Sequence, residues 1–392
     1  MGVARAGGAV AVGVCGVEPL TEARRVIEQR RDAGLHGGMD FTFRNPARST
    51  EPTRALPSAR SALVAALAYP PQRPAAPEAP AAAVARYAAS DLYATLRAAL
   101  RATAEVMAGD GYRGVVVADD NALVDRAMAH RAGLGWFGKN TNLLLPGIGS
   151  WVVLGSVLTD APLPPTVADG DVVADQCGAC RRCLDACPTG ALVAPGVMDA
   201  SRCLSWLLQM QGPFPREHRE ALGPRIYGCD DCQEVCPPNR RAPEPTVALA
   251  PGPGDWVELR WLLEATDDEL LGALGAWYIP RRDPRYLRRN ALVALGNTGR
   301  GDDPVVARLL EAHLRSDDAL LVGHAAWAAR RLGADHLLAA EGVRDHPEVG
   351  AELARPHPSP TTPGGPPGGP RRGPRGVAPG VAPVAPVGET GL

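Results

Sequence analysis

The chain has 392 residues, 41 Lys or Arg against 43 Asp or Glu, and a formal net charge of −2. That balance excludes a globally basic nucleic-acid binder, so any contact with a polyanion must be a local patch. The length allows two or three domains with their own cores, and no apolar run reaches the ~18 residues of a membrane-spanning helix.

The first apolar stretch, Gly7–Val17, has one preceding Arg and no clear small-residue cleavage site, so it reads as a first strand rather than a signal segment. A helix over Thr21–Ala33 follows. Arg60–Ala68, Gly114–Ala118 and Trp151–Thr159 are apolar or β-branched bursts that predict strands. Ser90–Ala108 and Asn121–Ala132 carry helical periodicity. This alternation predicts an α/β domain over residues 1–165. Pro70–Ala83 reads as a surface loop, and Pro162-Leu163-Pro164-Pro165 as a linker into the next unit.

Two polar motifs lie inside that first domain. Asp119-Asp120-Asn121 closes a predicted strand. A carboxylate there can donate a proton if burial raises its pKa, whereas Asp120 is well placed to cap the following helix. Gly133-x-Gly135-x-x-Gly138-Lys139 matches a dinucleotide fingerprint but follows a helix instead of a strand, so that reading fails its context. Such a backbone can approach another large planar or phosphate-bearing cofactor, and the residues alone leave its identity open.

The next unit, residues 166–245, holds eight of the nine cysteines. Cys177-x2-Cys180-x2-Cys183-x3-Cys187-Pro188 is the two-cluster ferredoxin arrangement, in which the fourth cysteine serves the other cluster. Cys229-x2-Cys232-x3-Cys236-Pro237 supplies the return half, and Cys203 stands alone between them. Crossing divides the ligands into Cys177, Cys180, Cys183 and Cys236 for one [4Fe-4S] cluster, and Cys187, Cys203, Cys229 and Cys232 for the other. Zinc would use C-x2-C pairs without a trailing Cys-Pro, and disulfides would imply an oxidising compartment. Reduced ligands and the lack of an export signal lead to an expected cytoplasmic location. Cys15, in an apolar run, is expected to pack as a small core residue.

Beyond the cysteines the chain turns helical. Asn290-Ala-Leu-Val-Ala-Leu-Gly and His324-Ala-Ala-Trp-Ala-Ala-Arg lie 34 residues apart and share small residues, which predicts HEAT-like helical repeats over 258–350. Arg281, Arg282, Arg285, Arg288 and Arg289 cluster at the head of the first repeat. Such a run binds phosphates or forms a solvated helix face. The Pro/Gly-rich tail, 356–392, is expected to be disordered.

Several of these segments together resemble the epoxyqueuosine reductase family. Arg131-Ala-Gly-Leu-Gly-Trp-Phe-Gly-Lys139-Asn, the run from Cys177 to Ala191, and Arg225-Ile-Tyr-Gly-Cys-Asp-Asp-Cys-Gln-Glu-Val-Cys-Pro237 carry the likeness. His36-Gly-Gly-Met-Asp40 and Ala85-Arg86-Tyr87 extend it, and only the tail falls outside. The resemblance implies an α+β multidomain fold, with an N-terminal α/β cobalamin-binding domain, a ferredoxin-like two-cluster domain and HEAT-like repeats that bind the anticodon arm. It implies reduction of the epoxide of epoxyqueuosine at the tRNA wobble position, with Asp119 as proton donor. Arg86, Tyr87, Lys139, Asn140 and Asn142 would contact cobalamin, and the five clustered arginines the tRNA. A small reduced electron carrier such as flavodoxin or ferredoxin, no membrane and a monomeric state are expected. No Asp-x-His-x-x-Gly motif is present, so a lower histidine ligand to cobalt is not expected. The chain departs from the family at Ala-Ser-Asp91-Leu-Tyr93 and at Cys236-Pro-Pro238-Asn, which bears on the contacts of the first loop and the shielding near a cluster. Two competing readings share parts of this chemistry. A reductive dehalogenase is disfavoured by the missing export signal and the arginine-rich repeats, and a ferredoxin-like electron-transfer subunit by the large domain ahead of the cysteines.

Overall fold

A computed structural model of the chain describes residues 1–78, 80–168 and 171–359. Its strands are β1 (Ala9–Cys15), β2 (Ser61–Ala68), β3 (Ala81–Val84), β4 (Gly114–Val117), β5 (Trp136–Phe137), β6 (Leu143–Leu144), β7 (Val152–Thr159), β8 (Leu192–Ala194), β9 (Val197–Met198), β10 (Arg225–Tyr227) and β11 (Trp256–Glu258). The predicted strand bursts around 60–68, 114–118 and 151–159 are all extended. They join β1 in one sheet of order β1-β2-β7-β4, and every pairing in it is antiparallel.

Central β2 reads Ser-Ala-Leu-Val-Ala-Ala-Leu-Ala and is buried along its whole length. Side chains alternate across a strand, so each face of β2 feeds a different core. Ala62, Val64 and Ala66 pack with Leu154, Leu158 and Met128 of the helix Asp125–Arg131. Leu63, Ala65 and Leu67 pack with Val153, Val157 and Leu92, Leu96 and Leu100 of the helix Leu92–Gly109. Both helices therefore carry the loops at the sheet's end, including the one that bears Asp119. Cys15 is buried at the end of β1 in the first of these cores, as its apolar surroundings predict.

One segment departs from the sequence expectation. Ala81–Val84, read as the end of a surface loop, is β3, the middle strand of a second sheet of order β10-β3-β11. It pairs parallel to β10 and antiparallel to β11. Its three buried alanine and valine side chains fit a close-packed central strand, although the flanking Ala/Pro composition hides it. The predicted linker is likewise pinned: Leu163 N–H donates to Ser61 Oγ at 3.0 Å.

In the C-terminal part the helices Arg285–Thr298 and Ala319–Arg331 pack closely. A Cβ added at Gly296 would lie 3.0 Å from Ala328 Cα, so the small residues set their approach. Among the described residues no helix is long and apolar enough to cross a membrane. Most of the Pro/Gly-rich tail, from residue 360, lies outside the described residues.

Candidate functional site: two groups of thiols and an acidic loop

Both Cys-Pro steps act as stops. Cys187 follows the short helix Arg182–Ala186, and Cys236 follows Asp231–Glu234 and Val235; each takes an extended backbone (ψ 113° and 121°) ahead of its proline. The turn ends there and the thiol is released from the group of the preceding cysteines. Cys177, Cys180, Cys183 and Cys236 line one cavity together with Trp136, Lys139 and Leu144. Among the remaining thiols, Cys232 feels Cys229, Cys203 and Cys187 first and Cys183 after them, while Cys236 feels Cys183, Cys177 and Cys180. The cavity thus gathers the four thiols that spacing assigns to one cluster.

Burial pushes the Cys177 and Cys183 thiols up. Cys236 reaches about 12, its neighbouring thiols adding to the burial effect, and Cys203, Cys229 and Cys232 are raised as well. Closely grouped, desolvated thiolates need a cationic centre to hold them ionised. Among the described residues no three His, Cys, Asp or Glu side chains converge tightly enough for a single metal ion. Thiols spread around a cavity suit a cluster better than a tetrahedral zinc. A further donor faces a sulfur: Ala191 N–H donates to Cys187 Sγ at 3.2 Å. The Trp136 indole N–H, on the cavity lined by Cys177, is buried without a protein partner.

The Gly-rich turn serves these loops. Lys139 Nζ donates to the carbonyls of Gly178 and Cys180, and Asn140 Nδ2 donates to the Cys232 carbonyl at 3.4 Å. Asn140 Oδ1 accepts from Asn142 N–H at 3.2 Å. The turn's glycines face the chain itself, since a Cβ at Gly135 would lie 2.1 Å from the Leu144 carbonyl oxygen. Arg86 stacks over Trp151 at 4.7 Å and pairs with Asp230 and Glu234. Burial lifts Asp230 to about 6, with Arg86 and Arg73 pulling the other way. Tyr87 lies half-buried beside Tyr227, ring centroids 6.2 Å apart. Asn239, beside the departure at Pro238, is buried and accepts from Ser150 N–H at 2.6 Å, tying the Cys236 turn to the first sheet.

Asp119 sits at the end of β4 with φ +52°, a left-handed conformation rare for a non-glycine residue. Three neighbours fix its loop. Arg97 donates to the Ala118 carbonyl (2.6 Å), Asp119 N–H donates to Asp125 Oδ2 (3.3 Å), and Ser49 Oγ donates to the Asn121 carbonyl (2.6 Å). Asp120 caps the turn by accepting from Ala122 N–H at 2.8 Å. Asp119 is open to solvent, yet surrounding protein raises its pKa, with Arg97 opposing and Asp120 adding to the rise. Asp119 is thus reachable from solvent on a loop whose neighbour Asp125 is shielded from it. Burial pushes Asp125 well above the carboxylate range, and Tyr93 and Tyr227, which both feel the Asp119 charge, are raised too. Asp125, Tyr93, Tyr227 and Trp136 were not singled out from sequence. Asp125 reads there as an ordinary residue of a helix's first turn, and the aromatics as core.

The arginine cluster separates on folding. Arg289 is wholly buried, donating to the carbonyls of Leu207, Leu208, Met210 and Gly212, so its expected contact with tRNA is corrected to a structural role. Arg288 pairs with Asp267 and Arg285 with Asp283, while Arg281 and Arg282 are exposed.

The sequence 176–239 matches the model of a 4Fe-4S double cluster binding domain. Epoxyqueuosine reductase of Vibrio cholerae is 36% identical over 329 residues, covering 81% of this chain and 86% of that protein. The chain belongs to the epoxyqueuosine reductase family. The Pseudomonas aeruginosa reductase is 35% identical, covering 82% of this chain and 90% of its own length. Among solved structures, a selenomethionine-labelled epoxyqueuosine reductase superposes with a TM-score of 0.78 at 30% identity, covering 90% of this chain and 97% of that one. An epoxyqueuosine reductase with an epoxyqueuosine-modified tRNA-Tyr stem loop gives 0.75 at 30% identity, covering 89% and 94%. Family membership makes this chain an oxidoreductase, and its eight grouped thiols are the ligands expected of two [4Fe-4S] clusters.

Proposed function

We propose that this oxidoreductase converts epoxyqueuosine, at the wobble position of a tRNA anticodon, to queuosine. The observation that carries the reading is the presence, in one chain, of two groups of thiols suited to electron delivery and of the exposed, left-handed Asp119 loop suited to proton delivery. Removing an epoxide oxygen as water while restoring a C=C bond consumes two electrons and two protons, so both are required.

Family membership also implies cobalamin. Loops 118–125 and 139–142, joined through the Arg126 donation to the Thr141 carbonyl at 2.7 Å, contain left-handed Asp119 and Thr141 and a buried Asp125 Oδ1 without a protein partner, polar groups that fit an amide-fringed ring. When bound, cobalamin supplies a low-valent cobalt centre as electron source for the epoxide carbon. The backbone of 139–142, with Tyr87 nearby, would hold it, while the side chains of Lys139 and Asn140 keep the cluster loops in place. Asp119, its pKa raised by desolvation, holds the proton for the departing oxygen. A relative from Bacillus subtilis was solved with its aspartate-bearing catalytic loop swung out of the active site, which supports assigning this role to the Asp119 loop.

In this reading residues 1–165 bind cobalamin, 166–245 carry the clusters, and 258–350 form HEAT-like repeats that contact tRNA. A small reduced carrier such as flavodoxin or ferredoxin delivers electrons to the monomer in the cytoplasm. Mass spectrometry of tRNA nucleosides from a strain lacking the protein tests the function. Accumulated epoxyqueuosine is the expected result, and an unchanged queuosine level would overturn the proposal.

A further inference from the structure

Of the five clustered arginines, Arg281 alone has no ion pair or hydrogen-bonded side-chain partner among the described residues. It lies in the loop Trp277-Tyr278-Ile279-Pro280-Arg281-Arg282, where Arg281 and Arg282 both take left-handed backbone, φ +53° and +56°. Consecutive left-handed residues other than glycine persist only where their surroundings over-determine them. Here the loop is held from below. Trp277 stacks on Tyr227 with ring centroids 4.4 Å apart and an interplanar angle of 12°, and its indole N–H donates to the Ala88 carbonyl at 3.0 Å. Tyr278 N–H donates to the Tyr227 hydroxyl at 2.9 Å, and Arg282 donates to the Gly275 carbonyl at 2.9 Å.

This anchoring leaves the Tyr278 ring 58% exposed, more than any other large hydrophobic side chain among the described residues. An uncovered aromatic and an unpaired cation are thus displayed together on a braced loop. Its anchor, Tyr227, lies two residues before Cys229, so the loop is braced beside the second thiol group.

We propose that Tyr278 and Arg281 form a subsite for one unstacked nucleotide of an RNA loop, with its base on the Tyr278 ring and its phosphate on Arg281. The inference rests on the reading of tRNA as substrate and adds where a neighbour of the reacting nucleotide is received. Single-stranded RNA is bound by aromatic platforms beside cationic phosphate contacts. A base turned out of its stack leaves its neighbour unstacked and in need of such a platform.

The test uses the full-length holoenzyme, an epoxyqueuosine-modified anticodon stem-loop, and fluorescence anisotropy across a salt series. Tyr278→Ala should weaken binding about ten-fold or more, and Tyr278→Phe should stay near wild type. Arg281→Gly suits the left-handed backbone while deleting the charge, so it should fold normally, weaken binding and reduce the salt slope by about one. Arg281→Lys should restore most of the loss. Iron content should be unchanged, and the loss of affinity should appear as a raised KM. Wild-type affinity in both Tyr278→Ala and Arg281→Gly would overturn the subsite. It is overturned equally if RNA affinity is kept but reduction of the clusters by flavodoxin slows, since the loop would then dock a protein. A wild-type enzyme that neither binds nor reduces the RNA would instead overturn the functional reading beneath it.

Discussion

The backbone N–H of Asp119 donates to the carboxylate of Asp125 at 3.3 Å, and this contact helps hold Asp119 in its left-handed conformation. Asp125 lies in the first turn of the helix Asp125–Arg131, which packs on the central sheet, so the contact fastens a strained loop to a rigid element. Asp125→Ala should free the loop. A lost hydrogen bond between neutral groups costs ~0.5–1.5 kcal/mol, which corresponds to a fall in kcat of roughly 2–10-fold with both clusters intact. Asp125→Asn retains an acceptor and should lose less. Hydrogen exchange at the Asp119 amide checks the cause: exchange should quicken in the Ala variant, and unchanged protection would refute the latch.

Asp119 should carry a pH dependence of its own. Burial raises its pKa, and a proton donor works only while protonated, so single-turnover rate should fall as pH rises through that raised value. Asp119→Asn should remove this limb and lower the rate by ~10²–10⁴-fold, with clusters still loaded. An identical pH profile in the variant would transfer the role to another acid.

Cys203 offers the sharpest check of the ligand division, because it is the ligand that stands outside both repeated motifs. Anaerobically reconstituted wild type should hold about eight iron atoms and Cys203→Ala about four. Electron paramagnetic resonance should show the Cys177 cluster retained. Loss of both clusters would mean that neither assembles alone.

The Trp136 indole N–H is buried without a protein partner, and Trp136 lines the cavity of Cys177, Cys180, Cys183 and Cys236, where a cluster sulfur would receive it. Hydrogen bonds to cluster sulfurs stabilise the reduced, more negative state and raise the potential. Trp136→Phe should therefore lower the potential of that cluster and leave the other unmoved in a spectroelectrochemical titration.

Arg289→Ala should act on stability. Its guanidinium donates to four carbonyls between Leu207 and Gly212, and leaving buried acceptors unsatisfied costs ~1–3 kcal/mol apiece where water cannot enter. A clear fall in Tm is expected. Unaltered thermal stability together with weakened RNA binding would restore Arg289 to the RNA-binding surface.

How much of this was legible in sequence depended on how local each signal is. Cluster ligands sit within short turns, and the Cys-Pro steps at Cys187 and Cys236 encode the exchange between groups, so the eight thiols could be sorted by spacing. The strands around 60–68, 114–118 and 151–159 were likewise written in their own residues. Arg289 was not, because a run of like charges on a helix says nothing of which turn faces inward until Leu207–Gly212 folds against it. Asp125 escaped notice because its importance lies in a backbone N–H six residues earlier. Ala81–Val84 escaped because alanine and proline mask a strand whose partners arrive from distant positions.

That distant pairing governs how the enzyme is made. Strand β3 is held between Arg225–Tyr227 and Trp256–Glu258, so its sheet closes only after the ribosome has delivered the chain as far as Glu258. By then all eight ligating thiols have left the exit tunnel's shelter or are about to, while the scaffold that orients them is still open. Contacts this far apart in sequence form late. Iron–sulfur insertion therefore has a window before the sheet shuts, and residues 176–239 cut out on their own would lack the strand that braces Tyr227 ahead of Cys229.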